Sequence, residues 1–297
     1  MVRFSNDTLS GYTHPVSGSE DATIQNVVKM VRDAIDDCDK LRDLEIEVFL
    51  QGSYANNTNV RQNSDVDINV CLKSTFYYNL PEGRTKEHYN IYPATVQYPD
   101  FKDYVEKALK DKFGEDNVKR KNKCIHIKEN TYHHEADVVP TFEYRNYGYF
   151  DVKYSGVKFL TDDFKTIVNY PKQQVENGTD KNDRTHRRYK RTVRILKRIR
   201  YRMIDEKVVV NPNISSFLIE SLLWNVPTHL YATDDLNIRL KEILGYLLGK
   251  TTREDSMSSW NEESNLLPLF GPDRKWSVCD VSEFVIQVFR YLGYADE

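Results

Sequence analysis

Asp65 and Asp67 stand two residues apart in the run Asp65-Val66-Asp67-Ile68-Asn69-Val70. No other feature constrains this chain as much. Val66, Ile68 and Val70 alternate with Asp65, Asp67 and Asn69, which is the period of a half-buried strand. Side chains at i and i+2 of a strand share a face, so two carboxylates lie side by side. Their repulsion is costly unless a cation sits between them. Hard divalent ions take oxygen ligands, and two of them need a third carboxylate. Asp137 is the candidate, because Ala136-Asp137-Val138-Val139-Pro140 reads as an apolar strand in which an unpaired charge is expensive. Gly52-Ser53 precedes Asp65 with eleven residues between. A glycine there lets backbone approach a phosphate that a Cβ would obstruct, and Ser53 can add its amide and hydroxyl. A D-x-D pair alone also fits a solvated strand face. The Gly-Ser upstream and the Asp downstream favour the metal reading.

The chain has 297 residues, enough for one large domain or two intimate ones. Lys and Arg number 42 against 45 Asp and Glu, so the molecule as a whole is no electrostatic nucleic-acid binder. No apolar run reaches the roughly 20 residues of a membrane span, and the N-terminus lacks a basic-then-apolar signal. Cys38, Cys71, Cys124 and Cys279 form no C-x-x-C pair, which excludes a zinc ribbon or a thioredoxin motif. They read as free thiols in a reducing cytoplasm.

Periodicity predicts a helix over 19–41, with Ile24, Val27, Val28, Val31 and Ile35 on one face, and a surface helix over 101–112. Strands are expected at 45–50, 66–70, 123–128, 135–144, 149–154 and 157–160, with Ser155-Gly156 as a turn. Beyond Pro171 the character turns helical: 184–203, 214–225, 235–248 and 281–292, with 250–277 irregular. A mixed α/β (α+β) part is thus followed by a helical part, with the boundary near 170.

Gly52-Ser53-Tyr54-Ala55-Asn56-Asn57-Thr58-Asn59, Ser64-Asp65-Val66-Asp67 and Ala136-Asp137-Val138-Val139 resemble the polymerase-β-type nucleotidyltransferase superfamily. Within it the chain resembles the bacterial cGAS/DncV-like nucleotidyltransferases of anti-phage (CBASS) signalling, closest to their CdnE clade. Asn169-Tyr170-Pro171-Lys172, Glu176-Asn177-Gly178, Lys181-Asn182, Arg188-Tyr189-Lys190 and Phe217-Leu218-Ile219-Glu220 carry the narrower match. The resemblance implies a polymerase-β-like core with a mixed sheet over 1–170, including an N-terminal helix. It implies a C-terminal helical lobe over 171–297 that grips the triphosphate, with the active site in the cleft between.

Residues 184–202 are rich in Arg and Lys. With Thr192, Leu196, Ile199 and Met203 as the core stripe, Lys190, Arg194, Lys197 and Tyr201 fall on one flank. Arg187, Arg191 and Arg198 fall on the outer face. A flanking basic stripe suits either phosphates or a nucleic-acid groove; the resemblance favours a nucleotide. By that resemblance Lys197 and Ser216 contact the donor triphosphate, and Phe217 lies where a family tyrosine stacks on a base. Asn169, before Tyr170-Pro171, corresponds to an asparagine associated with uracil preference, its amide reading a base edge. His133-His134 invites a zinc hypothesis, but adjacent strand residues face opposite ways, so a structural role is preferred.

The expectation is therefore a metal-dependent cyclic dinucleotide synthase using ATP and UTP. Asp65, Asp67 and Asp137 would hold two Mg²⁺, with Mn²⁺ as an alternative. Gly52, Ser53, Asn169, Lys197, Ser216 and Phe217 would bind nucleotide. The product, cyclic UMP–AMP or a related pyrimidine-containing dinucleotide, would be read by a separate effector. The chain is expected to be a cytoplasmic monomer without a membrane or nucleic-acid partner. The rival readings are an RNA-tailing or oligoadenylate-forming transferase and a catalytically inactive nucleotide sensor.

Overall fold

The computed structural model describes residues 2–15, 19–60, 65–252 and 256–295. The end of the polar stretch before Asp65, residues 61–64, and the last two residues, 296–297, lie outside them. Among the described residues no helix is long and apolar enough to cross a membrane.

The chain divides into two compact units. One holds Ser17–Ala55 and Arg61–Lys172; the other holds Met1–Val16, Asn56–Val60 and Gln173–Glu297. The units change between Lys172 and Gln173, and residues 2–15 and 56–60 group with the helices rather than with the sheet.

In chain order the elements begin with α1 (Asn6–Tyr12), α2 (Ser19–Asp36), β1 (Ile46–Leu50), α3 (Gly52–Ala55) and β2 (Val66–Asn79). Next come α4 (Tyr98–Phe113), β3 (Val118–Arg120), β4 (Ile125–Ile127), β5 (Ala136–Tyr147), β6 (Val152–Leu160) and β7 (Thr166–Asn169). The helices α5 (Pro171–Arg184), α6 (Arg188–Asp205), α7 (Ser216–Asn225), α8 (Leu236–Thr251) and α9 (Val278–Tyr291) follow.

The sheet runs β1-β2-β5-β4-β3, with β6 on the far half of β5 and β7 on β6. β2 and β5 are parallel; the other pairs are antiparallel. One face is packed: Val66, Ile68, Val70 and Leu72 of β2 and Val138 of β5 are buried with Val27 and Val31 of α2 and Phe101 and Val105 of α4. Period two then sends Asp67, Asn69 and Asp137 to the opposite face. α4 starts with Pro99 in its first turn and stops at Gly114, whose φ is +91°, a conformation glycine adopts freely.

Two expectations fail here. Ser155-Gly156 is not a turn but lies inside β6. A Cβ on Gly156 would come within 2.7 Å of the Asn169 carbonyl and the Tyr170 ring, so the glycine makes room for the end of β7. The helix expected over 184–203 begins only at Arg188, as α6, after a break where His186 and Arg187 take φ of +51° and +64°, and the unexpected α5 precedes that break. α5 is too polar to show an apolar stripe in its sequence.

In the helical unit, α6, α7, α8 and α9 share one core. Val193, Leu196 and Ile199 meet Leu218, Leu222, Ile243, Leu247, Phe284 and Val288. The starts of α7 and α9 are capped by Ser215 and Ser277, whose side chains accept from Leu218 N and Asp280 N.

Candidate active site

The parallel pairing of β2 with β5 places Asp67 directly opposite Asp137. On the other side of β5, antiparallel β4 places His126 opposite the same Asp137. Directly paired residues share a sheet face. One row across three strands therefore carries two carboxylates and an imidazole, while Ile68, Val138 and the two isoleucines of β4 fill the other face.

Asp67 bears the cost of this arrangement. Burial, and then the charges of Asp137 and Asp65, push its carboxyl up to about 7. Among the described residues no lysine or arginine pairs with it. Asp137 is treated differently. Burial raises it too, but hydrogen bonds from His126, Lys121 and Cys124 outweigh burial and hold it below the usual carboxylate range. His126 Nδ1 lies 2.8 Å and Lys121 Nζ 3.1 Å from Asp137 Oδ1. His126 Nε2 lies 2.7 Å from Glu135 Oε1. Ligand atoms of Asp65, His126 and Asp137 all fall within 4.8 Å of one another.

Gly52 is explained by Asp67 itself. Its φ is +67°, and a Cβ there would collide with the Asp67 carboxylate. The preceding Gln51 donates its N–H to the Asp67 carbonyl at 2.9 Å. Its side-chain carbonyl accepts from Asn69 Nδ2 at 3.1 Å, and Asn69 accepts from Thr141 Oγ1 at 2.7 Å. A polar ladder thus ties the junction of β1 and α3 to β2 and β5 beside the carboxylates. Ser53 is half-buried in α3. The carboxylates suit a divalent cation: an acid that burial and two like charges keep from ionising is relieved by an added positive charge.

Asn169 ends β7 opposite Val157, with its side chain exposed, while Tyr170 is buried behind Gly156. His133 and His134 are both buried; His133 Nδ1 lies 3.0 Å from the His134 carbonyl, and its ring meets Phe113 edge-on.

In the helical unit Ser216 opens α7, its Oγ 3.3 Å from the Tyr201 hydroxyl. Phe217 is half-buried, its ring 6.2 Å from that of Trp276. Lys197 corrects the sequence reading. It is 1% exposed. Its ammonium forms an ion pair with Glu220 and donates to the Thr58 carbonyl at 3.1 Å and hydroxyl at 3.2 Å. It is a buried internal counter-ion rather than a cation open to phosphate. The rest of the flank is also engaged: Lys190 Nζ donates to Thr179 Oγ1 at 3.2 Å, and Arg194 donates to the carbonyls of Thr13 and Asn57. Arg198, expected on an outer face, donates to the carbonyls of Tyr12 and His14.

Sequence reasoning missed His126, Lys121 and Glu135 beside Asp137. A signal existed, since His126 interrupts the apolar pattern of Ile125-His126-Ile127.

Residues 31–151 match the nucleotidyltransferase domain, and residues 176–293 match the C-terminal helical domain of cGAS/DncV-like nucleotidyltransferases. The chain is 45% identical over 295 residues to a cyclic dipyrimidine nucleotide synthase CdnE of Cecembia lonarensis, covering 99% of this chain and 100% of that one. The solved structure of Elizabethkingia meningoseptica CdnE cyclic dinucleotide synthase with GTP and Apcpp matches at TM-score 0.82. Identity is 33%, over 98% of this chain and 100% of that one. Rhodothermus marinus CdnE c-UMP-AMP synthase, solved with Apcpp and Upnpp, matches at TM-score 0.86 and 28% identity, over 98% and 97% of the two chains.

Proposed function

Because this chain belongs to the cGAS/DncV-like nucleotidyltransferases, and among them to the CdnE cyclic nucleotide synthases, we propose that it joins ATP and UTP into a pyrimidine-containing cyclic dinucleotide. In each transfer a ribose 3′-hydroxyl attacks the α-phosphorus of a triphosphate and pyrophosphate leaves. The first transfer gives a linear dinucleotide, and the second closes the ring. Asp65, Asp67 and Asp137 would hold the divalent cations, Mg²⁺ in this reading and Mn²⁺ as an alternative. Such cations polarise the phosphoryl oxygens and ease deprotonation of the attacking hydroxyl. Asp137, already strongly anionic, orients the acceptor side of the site, while Gly52 and Ser53 bring backbone and a hydroxyl to the phosphate side. Asn169 offers both a donor and an acceptor to a uracil edge, and its exposed position at the end of β7 leaves it open to a base. Among the relatives, the 45%-identical one is named for dipyrimidine products, which supports the pyrimidine choice. The product would act as a messenger read by a separate effector in anti-phage signalling.

The observation that carries this reading is the register that sets Asp67 against Asp137, with no ion-paired cation for Asp67 among the described residues. The test is mass spectrometry of products made from all four ribonucleoside triphosphates with Mg²⁺. The expected product resists phosphatase, needs no RNA and contains uridine. A linear, RNA-dependent product would contradict ring closure. A purine-only ring would overturn the uracil assignment while leaving nucleotidyl transfer standing.

A further inference from the structure

We infer that His126 is a ligand of the cation site, so that the position bounded by Asp65 and Asp137 is a mixed nitrogen–oxygen site rather than a purely carboxylate one. The inference rests on the divalent-cation reading above and adds a residue to it.

Three observations meet at this imidazole. First, a ligand atom of His126 lies within 4.8 Å of carboxylate oxygens from both Asp65 and Asp137. Second, its far nitrogen is already spoken for. Nε2 sits 2.7 Å from Glu135 Oε1, and a carboxylate on the second ring nitrogen is the usual way in which a metal-binding histidine is oriented and made more basic. Glu135 thus fixes the ring with Nδ1 turned to Asp137. Third, a cation already lies against the two atoms in question. Lys121 Nζ is 3.0 Å from His126 Nδ1 and 3.1 Å from Asp137 Oδ1, so an ammonium bridges the pair that a metal ion would bridge. The Lys121 side chain is 40% exposed and can withdraw into solvent, whereas His126 is 9% exposed and fixed on β4 between two buried isoleucines.

The chemistry follows from donor type. Mg²⁺ prefers oxygen and binds imidazole poorly. Transition ions accept nitrogen and oxygen together. An imidazole here therefore tilts this one position from Mg²⁺ toward Mn²⁺ without altering the carboxylates around Asp67.

Electron paramagnetic resonance of Mn²⁺ bound to the full-length protein tests this without any turnover. Pulsed spectra of the wild type should show coupling to one nitrogen that changes character when the histidines are labelled with ¹⁵N. His126→Gln should remove that coupling and weaken Mn²⁺ binding about 10- to 100-fold, with Glu135→Gln weakening it about 10-fold. Mg²⁺ binding should change about threefold or less. Mn²⁺ that binds, is lost in the Asp65→Asn/Asp67→Asn variant, and shows no nitrogen coupling overturns the role of His126 and leaves the carboxylate site intact. Mn²⁺ binding that the double variant does not diminish, or no binding at all, overturns both. The nitrogen coupling is read on the wild type, so it decides the matter even if His126→Gln fails to fold.

Discussion

Each unit buries carboxylates close together, and the two settle the charge in different ways. In the helical unit Glu220 and Glu263 both reach Asn56 Nδ2, at 3.2 and 2.9 Å. Burial raises both; the Lys197 ion pair and the Thr58 and Asn56 hydrogen bonds outweigh it and keep Glu220 ionised. Among the described residues no cation forms an ion pair with Glu263, and burial followed by the Glu220 charge pushes it up to about 7. It accepts instead from the Tyr189 hydroxyl at 2.6 Å. Among the described residues the two acids share one ion-paired cation, Lys197, and it is sealed in. In the sheet unit, Asp67 is pushed up to a similar value, but the nearby Lys121 serves Asp137 and remains partly exposed. A charge neutralised from inside the chain makes a structural cluster; a charge left for solvent to neutralise makes a site. The same residue types give a fastening in one place and a cation receptor in the other.

Breaking the sheet cluster should have the largest effect on chemistry. Asp65→Asn with Asp67→Asn should reduce product formation below detection while the metal-free protein melts no lower than the wild type, because removing like charges relieves repulsion. Sustained turnover with Mg²⁺ would contradict the receptor role. Breaking the helical cluster should instead act on stability. Lys197→Met leaves Glu220 buried without its partner and should cost about 3–5 kcal/mol in denaturant unfolding. Lys121→Met, at a partly exposed pair, should cost about 1 kcal/mol or less. Equal costs for the two lysines would erase the distinction.

Glu263 sharpens the comparison through pH. In the folded chain its carboxyl is pushed up to about 7, above the ordinary value of 4.5, so the folded chain holds the proton to higher pH. Its contribution to stability is fully present below about 4.5 and is lost as pH rises through about 7. Glu263→Gln keeps an acceptor for Tyr189 and should flatten that decline, leaving the variant more stable than the wild type at pH 8 and little changed at pH 4.5. A smaller and purely chemical effect is expected at Asn169. Asn169→Ser, at an exposed strand end, should leave stability within about 0.5 kcal/mol and shift product from uridine toward adenosine in an ATP/UTP competition read by mass. An unchanged ratio would remove Asn169 from base selection.

Much of the sheet unit was legible because its signals are local. Period-two alternation identified β1 and the start of β2, and Asp137 stood out as a charge within an apolar strand. Register is not local, so the sequence could not tell that Asp67 and Asp137 face each other directly or that His126 completes the row. The helical unit was legible in outline, since Leu196, Ile199 and Met203 do line the core of α6. Lys197 was misread because a lysine on a helix flank ordinarily lies in water. The counter-signal was Glu220, set inside the apolar run Phe217-Leu218-Ile219-Glu220-Ser221-Leu222-Leu223; a buried acid of that kind needs a buried base. β7 spans four residues and α5 lacks an apolar face, so neither carried enough pattern to be seen.

The claim that the sheet carboxylates await an external cation is tested most directly by calorimetric titration of Mg²⁺ into the wild-type protein near pH 6.5, in two buffers of different ionisation enthalpy. An Asp67 carboxyl held up to about 7 must give up its proton to a bound metal. The account predicts saturable binding with a fraction of a proton released per site, and neither heat nor proton release in Asp65→Asn/Asp67→Asn. Binding without proton release, or the same isotherm in the double variant, would contradict it.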